Sequence, residues 1–540
     1  MAKSFSTRWG LLAILLVAAA FRFRGLDWDH QIAAHPDERY VVDVASRLTF
    51  ASGLNPFDVE PNFAYGHLPV YLLAVAAALA PNVDPLLLGR ALSASFDVMT
   101  VALTFALARR LYGTQAGQLA AAVVAVTVGH VQQAHFYTAD PLLASLAVST
   151  LFFAVRFVQD GRPLDVCLAG ASAGLALGAK ATAALLVIPL GVACSVAPAE
   201  RRSAVWRCGV AATLALVVVE PFALVQLPTF LRNVAMQGVI LRGAFDVPYT
   251  RQYHRTLPYV YPLVQQLRWG MGWIAGSCAF AGLIYSVTRT LRRDARPEAW
   301  VVWTWVVPYF GFVGGLYAKF PRYLLPVVPL LATYAAYLVV EAAPGRRRLR
   351  LVLSILLLAG PVLRCVSLSA MYSAPQPWVQ ASNWVYGHAK EGATIAVEAW
   401  DQPLPLDSRG YELVELPIYD EDTTEKWETI EGALGEADYV IIASRRGYAS
   451  LTRWPSRYGR TTRYYEHLFE GELGFRPVAC FGRYPQLGNY VLADDPTAEL
   501  DFSLPEPCVF GSERMLHLGR LDESFVVYDH PQAIIFRAAR

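Results

Sequence analysis

About eleven separate apolar segments, each close to the roughly 20 residues needed to cross a bilayer core, dominate this chain and leave few folds open to it. They lie near residues 8–24, 86–108, 115–134, 141–157, 164–179, 181–197, 204–222, 267–288, 299–317, 323–341 and 350–367. Hydrophobic residues make up 55% of the sequence and charged ones only 17%, and the mean hydropathy is +0.34, a combination foreign to soluble globular proteins. The chain therefore reads as a polytopic α-helical membrane protein. The formal net charge of +2 hides a partition. Residues 370–540 hold 26 acidic and 15 basic residues, so the preceding part carries the positive excess. The expected domains are a membrane domain over 1–369 and a soluble domain over 370–540.

Arginine-rich connections set the orientation, because Lys and Arg accumulate on the cytoplasmic side. Arg109-Arg110, Arg156 with Arg162, Arg201-Arg202 with Arg207, the run from Arg289 to Arg296 and the run from Arg346 to Arg350 all share that side if the N-terminus is cytoplasmic. Residues 68–80 are apolar but short, and counting them as a span would invert every later cluster. They are expected to form an interfacial or re-entrant helix. The first loop, 25–85, and the C-terminal domain then fall outside the cytoplasm. Residues 9–21 follow a basic start but are followed by Arg22 and Arg24 without a small-residue cleavage site, so they read as a span rather than a signal peptide. Five of the seven cysteines sit in apolar segments, and Cys480 and Cys508 are the two that could pair outside the cell.

The C-terminal domain reads as α/β. Strands are expected at 394–400, 439–443 and 478–481, and helices at 378–389, 428–436 and 464–470. Residues 524–536 are expected to form two strands around a turn at Asp529-His530-Pro531.

Three constellations carry chemistry on the outer side. In the first loop, His35-Pro36-Asp37-Glu38 precedes an amphipathic stretch, Tyr40 to Leu48, which would lie on the bilayer and hold the acids at a fixed depth; the alternative is a solvated loop that carries acids freely. In the second, His130 to Pro141 ends an apolar helix with His135, Tyr137 and Asp140, either as cavity lining or as an aromatic belt with Asp140 capping the next helix. The third comprises basic residues against the positive-inside trend: Lys180 at a turn between helices, and Lys319 and Arg322 around Phe320-Pro321. A cation at the membrane needs an anion, either an acid reached through the fold or a bound lipid phosphate. Arg242, with Arg251, Arg255 and Arg268, could serve the same ligand. His35, Asp37 and Glu38 could gather a divalent ion, but no ligand spacing demands one, and no cofactor is required.

At these residues the chain resembles the GT-C glycosyltransferases of the protein O-mannosyltransferase and lipid A aminoarabinose transferase superfamily, especially bacterial family 39-like members. The resemblance runs through His35-Pro-Asp-Glu-Arg-Tyr40, Tyr65-Gly-His-Leu-Pro-Val-Tyr71, Gly89-Arg-Ala-Leu-Ser93, His135-Phe-Tyr-Thr-Ala-Asp140, Gly174-Leu-Ala-Leu-Gly-Ala-Lys180 and Lys319-Phe-Pro-Arg-Tyr-Leu-Leu-Pro326. It implies a polyprenyl-phosphate sugar donor, a protein, lipid or glycan acceptor, and no nucleic-acid partner. Asp37 would be the base or acceptor-orienting carboxylate, with Glu38 beside it. Asp140 would be a second cavity acid, and Lys180, Lys319 and Arg322 candidate phosphate ligands. The aminoarabinose transferases have Glu-Lys-Pro where this chain has His67-Leu-Pro69, which argues against that substrate. Transfer from a lipid phosphate needs a base for the acceptor and fixed positive charge for the leaving phosphate, and a single displacement would invert the anomeric carbon. The competing readings are a transporter or flippase of polyprenyl-linked sugars, which would show repeated halves, and a non-catalytic envelope assembly factor.

Overall fold

The computed structural model describes the chain except residues 1, 49–52, 199–204, 293, 295, 499, 501, 506, 507, 509–513 and 540, with side chains from residue 7 onward. Arg201, Arg202 and Arg293 of the expected basic clusters lie outside the described residues. The chain divides into two compact units. The first comprises Met1–Leu26, His35–Arg242 and Leu257–Cys365; the second comprises Asp27–Ala34, Gly243–Thr256 and Val366–Arg540. The division is thus discontinuous, with two short pieces of the amino-terminal two thirds built into the second unit.

The first unit is helical. Its elements are α1 (Ala2–Phe23), α2 (Pro36–Arg47), α3 (His67–Leu79), α4 (Pro85–Tyr112), α5 (Thr114–Ala125), α6 (Val128–Gln133), α7 (Ala139–Asp160), α8 (Pro163–Ala179), α9 (Val187–Val196), α10 (Val205–Val219), α11 (Leu227–Leu241), α12 (Trp273–Leu291), α13 (Ala299–Val313), α14 (Val328–Ala342) and α15 (Arg347–Ser369). Among the described residues α4, α7, α12 and the run containing α15 are long and apolar enough to cross a membrane by length and composition, while α3, α8, α10, α13 and α14 are shorter apolar helices. Large apolar side chains stay uncovered on α10 and α15, with Val218 at 75% and Leu351 at 61% exposure, as lipid-facing surfaces require. On the opposite requirement, close helix packing, α8 carries Gly170 and Gly174. A Cβ at either would come within 2.2 Å of a backbone oxygen of α10, so only glycine permits this approach.

The expected single span 115–134 is two helices. The chain breaks at Val126-Thr127, and the carbonyls of Val124 and Ala125 are taken by the Arg22 guanidinium at 3.1 and 2.9 Å. Arg22 is fully buried and paired with Asp97 at 2.5 Å, and Asp97 in turn meets His130 Nδ1 at 2.5 Å. A buried charge held by an acid and by two carbonyls at the helix end makes the break stable.

The amphipathic stretch of the first loop also differs from expectation. It is helical, as α2, but Val41, Val44, Ala45 and Leu48 are buried in a protein core with Phe57, Phe63, Val70 and Leu73 instead of on a lipid surface. The apolar face of α2 finds a better partner in α3 and the loop aromatics than in headgroups.

The second unit is built on a five-stranded sheet of order β2-β1-β3-β8-β4, formed by β1 (Thr394–Glu398), β2 (Glu412–Leu416), β3 (Tyr439–Ile442), β4 (Phe475–Phe481) and β8 (Ala533–Ala538). β1 pairs in parallel with β2 and β3, and β8 runs antiparallel to β3 and β4. A three-stranded sheet of β5 (Gln486–Leu487), β6 (Tyr490–Ala493) and β7 (Arg514–His517) accompanies it. Helices α16 (Pro377–His388), α17 (Thr424–Glu436) and α18 (Gly459–Glu470) accompany the sheets. The expected terminal hairpin is half right: 533–538 is a strand, but Glu523–Val526 is a short helix capped by the Asp522 side chain. Cys480 and Cys508 form a disulfide.

Candidate functional site

The candidate site lies within the first unit and is assembled from the ends of helices. Asp37 is in the first turn of α2 after Pro36, and Asp140 is in the first turn of α7. Both carboxylates thus sit where aligned backbone N–H groups favour negative charge. Lys180 follows the last turn of α8, where the dipole favours a cation, and a short 3₁₀ turn, Pro321–Leu324, carries Arg322.

These four side chains form an alternating chain of charge. Arg322 Nη2 lies 2.7 Å from Asp37 Oδ2, its Nε lies 4.0 Å from Asp140 Oδ2, and Lys180 Nζ lies 2.7 Å from Asp140 Oδ1. His35 Nε2 is 3.0 Å from Arg322 Nη1, and its ring packs 4.8 Å from Phe136. The Tyr65 hydroxyl donates to Asp37, and the Tyr323 ring lies 4.7 Å from Lys180 Nζ. Asp37 and Lys180 keep side-chain exposures of 22% and 21%, enough to meet a ligand, whereas Asp140 is 4% exposed. Burial works to raise the Asp37 carboxyl, but Arg322, His35 and Lys180 together hold it below the usual carboxylate range. Burial and the Asp37 charge push the Tyr65 phenol far up, so it stays a hydrogen-bond donor. Lys319 is 3% exposed; its ammonium donates to Tyr317 O at 2.9 Å, and burial lowers it to about 8.

Three other expected site residues serve the frame instead. Glu38, expected beside Asp37 as a catalytic acid, is fully buried, with Oε1 and Oε2 bound by Arg90 Nε and Nη2 at 2.9 and 2.8 Å and a further bond from Tyr137 N at 2.7 Å. Both oxygens are therefore committed. Tyr137 donates its hydroxyl to Pro69 O at 2.6 Å, and its ring fills the space a side chain at Gly89 would occupy. His135 bridges two carbonyls, Val131 O at 2.8 Å and Arg24 O at 3.0 Å, and is fully buried. Arg242 is exposed just after α11, whose last carbonyl, Leu241 O, accepts from Tyr317 and Ala318 next to Lys319. Arg251 belongs to the second unit, paired there with Asp246 at 2.9 Å.

Arg90 was quoted in the sequence motif without a role, although a lone cation in an apolar span asks for an acid, and that signal points to Glu38. Tyr65 and Tyr323 carried no such signal. Glu220, just after α10, accepts from His67 N at 2.6 Å and so caps α3. Gly66, just before, has the Gly178 carbonyl 2.1 Å from where a Cβ would stand, which seats α3 against the end of α8 that presents Lys180. Among the described residues the His/Cys/Asp/Glu group close enough to hold a metal is His467, Glu470 and Glu472, not His35, Asp37 and Glu38.

The fold has counterparts of known structure. An archaeal oligosaccharyltransferase from Archaeoglobus fulgidus, solved with an inhibitory peptide and a dolichol-phosphate, superposes with a TM-score of 0.51 at 14% identity, over 86% of this chain and 72% of that one. ArnT from Cupriavidus metallidurans in its apo state gives a TM-score of 0.50 at 17% identity, over 84% of this chain and 95% of that one. The chain shares the fold of these two structures. Within that fold, residues 67–224 match the dolichyl-phosphate-mannose-protein mannosyltransferase family, a segment that includes Asp140 and Lys180 but neither Asp37 nor Arg322. No curated protein sequence matches the chain. The shared fold and the partial family match thus agree with the resemblance drawn from the motifs, while the C-terminal α/β region extends beyond the family segment.

Proposed function

We propose that this chain is an integral membrane glycosyltransferase that moves a sugar from a polyprenyl-phosphate donor to an acceptor on the extracytoplasmic face. The observation that carries the reading is the Asp37–Arg322–Asp140–Lys180 chain, in which an ionised, partly exposed carboxylate touches a cation that a phosphate would also seek. The family segment and the dolichol-phosphate held by the archaeal oligosaccharyltransferase support a lipid-phosphate donor.

In the proposed step the acceptor hydroxyl or amine donates its hydrogen bond to Asp37 and attacks the anomeric carbon. The bond from that carbon to the phosphate oxygen breaks, the electron pair leaves with the polyprenyl phosphate, and the acceptor proton passes to Asp37. Arg322 and Lys180 offset the charge that grows on the departing phosphate. An incoming phosphate would draw Arg322 from Asp37, which removes the main influence holding its carboxyl low and makes it a better base as the donor binds. A single displacement inverts the anomeric centre. Asp140 keeps Lys180 and Arg322 in place, and Lys319 and Arg242 lie at the edge of the same reading.

Membranes containing the protein, given a radiolabelled polyprenyl-phosphate sugar, should release polyprenyl phosphate. Asp37→Asn should lower turnover by at least ~100-fold with normal expression, in line with general-base contributions. Normal turnover by that variant would remove Asp37 from the mechanism. Movement of intact sugar-lipid across liposomes without release of polyprenyl phosphate would favour a flippase.

A further inference from the structure

The second unit is acidic overall, yet it contains a basic cavity. Among the described residues, a space of about 410 Å³, within the range of small-molecule sites, is lined by Arg255, Arg453 and Arg520 against one carboxylate, Glu466. All of these residues belong to the second unit. Residues 370–540 carry an excess of 11 acidic residues, so a local reversal of sign needs a cause.

The cations are not equivalent. Arg453 is part of the frame: Nε donates to Ala449 O at 3.0 Å, and Nη2 to Pro496 O and Ala498 O at 3.0 and 2.8 Å. Arg520 donates from Nη2 to Gln252 O at 2.9 Å. Arg255 is exposed, its backbone is left-handed at φ 59°, and among the described residues no carboxylate pairs with it. Its neighbour His254 is stacked on Trp454, with centroids 4.0 Å apart and planes 8° from parallel. The stack fixes the imidazole, yet among the described residues its buried Nε2 has no hydrogen-bond partner.

The rest of the lining is not that of a bare anion hole. Thr462 and Thr452 each donate their hydroxyl to a backbone carbonyl, Tyr458 O at 2.8 Å and Tyr448 O at 2.5 Å, which leaves their oxygens as acceptors only. Glu466 is a third acceptor, and Leu500 with Phe502 supplies an apolar wall. Acceptors for hydroxyl groups, an apolar surface for C–H faces and a guanidinium for one negative charge describe a single ligand chemistry. We propose that this cavity binds an anionic saccharide, a sugar residue that carries a carboxylate or a phosphate. The site is separate in residues from the Asp37 cluster and stands whether or not that cluster transfers sugar.

The test uses the full-length protein in nanodiscs and titrates glucuronate, glucose 1-phosphate, glucose and inorganic phosphate by calorimetry. Glucuronate or glucose 1-phosphate should bind at least ~10-fold more tightly than glucose, which lacks the charge, and than inorganic phosphate, which lacks the hydroxyl and C–H contacts. Arg255→Gln should weaken that binding by about tenfold. Asp37→Asn should bind the same ligands unchanged, so failure of the transfer reading is told apart from failure of this one. Equal binding of inorganic phosphate would reduce the cavity to an anion site and overturn the saccharide assignment. Absence of binding by both acidic sugars, or unchanged affinity in Arg255→Gln with an unaltered melting temperature, would overturn the site.

Discussion

Individual residues separate two kinds of carboxylate in this molecule. Asp37 is held ionised by neighbouring cations, whereas Glu398 in β1 is held neutral: burial raises it to about 8 despite the Tyr465 hydroxyl that donates to Oε1 at 2.7 Å, and Oε2 has no partner. A carboxyl whose folded pKa lies above its unfolded value stabilises fully below the unfolded value, near 4.5, and that stability is lost as pH rises through about 8. The second unit should therefore melt at progressively lower temperature between roughly pH 5 and pH 8, by up to about 1.4 kcal/mol of stability per pH unit. Glu398→Gln should flatten that slope, as followed by tryptophan fluorescence; an unchanged slope would place the titrating group elsewhere. Glu38 presents the other case, a paired charge. Glu38→Ala leaves Arg90 buried without its acid and should cost about 3–5 kcal/mol, seen as a lowered melting temperature. A variant that melts normally but has lost turnover would return Glu38 to the chemistry.

At the scale of elements, what was legible in the sequence follows from which signals are local. Apolar runs long enough for a bilayer reveal themselves without any partner, so α4, α7 and α8 were placed within a few residues of their observed ends. Lys180 at a helix junction and Arg322 after Phe320-Pro321 were legible for the same reason, because a cation outside its usual side is a local anomaly. Their carboxylate partners were not, since the pairs Lys180–Asp140 and Arg322–Asp37 close over 40 and 285 residues of chain. The division of 115–134 into α5 and α6 was hidden likewise: the break depends on Arg22, about 100 residues earlier. The burial of α2 within protein was missed because amphipathic periodicity records that a face is covered, not what covers it. In the second unit β2 went unnoticed: Glu412–Leu416 is an edge strand with two glutamates, and it lacks a continuous apolar run.

For the whole molecule, the Cys480–Cys508 disulfide would persist only in an oxidising compartment, so its state in cells tests the expected extracytoplasmic placement of the second unit. In intact spheroplasts, neither cysteine should react with a membrane-impermeant maleimide until a reductant is added; labelling without reductant would contradict the pairing. The discontinuous second unit also bears on domain dissection. Because Asp27–Ala34 and Gly243–Thr256 belong to it, a fragment starting at Val366 lacks Arg251, which binds Tyr419 O at 2.5 Å, and should be less stable than the same residues in the full chain.

One helix has a further consequence. α7 is anchored by ion pairs at both ends, Asp140 to Lys180 and Asp160 to Arg110, the latter at 3.0 Å. Twenty residues of α-helix between those anchors span about 30 Å, the thickness of a bilayer's hydrocarbon core. Such a strut works as a molecular ruler: in a thinner bilayer it must tilt, and tilting shifts the depth of Asp140 and the cations it positions. Reconstitution in lipids of graded acyl length should give an activity optimum near the matched thickness, and a flat dependence would show that the strut does not register the membrane.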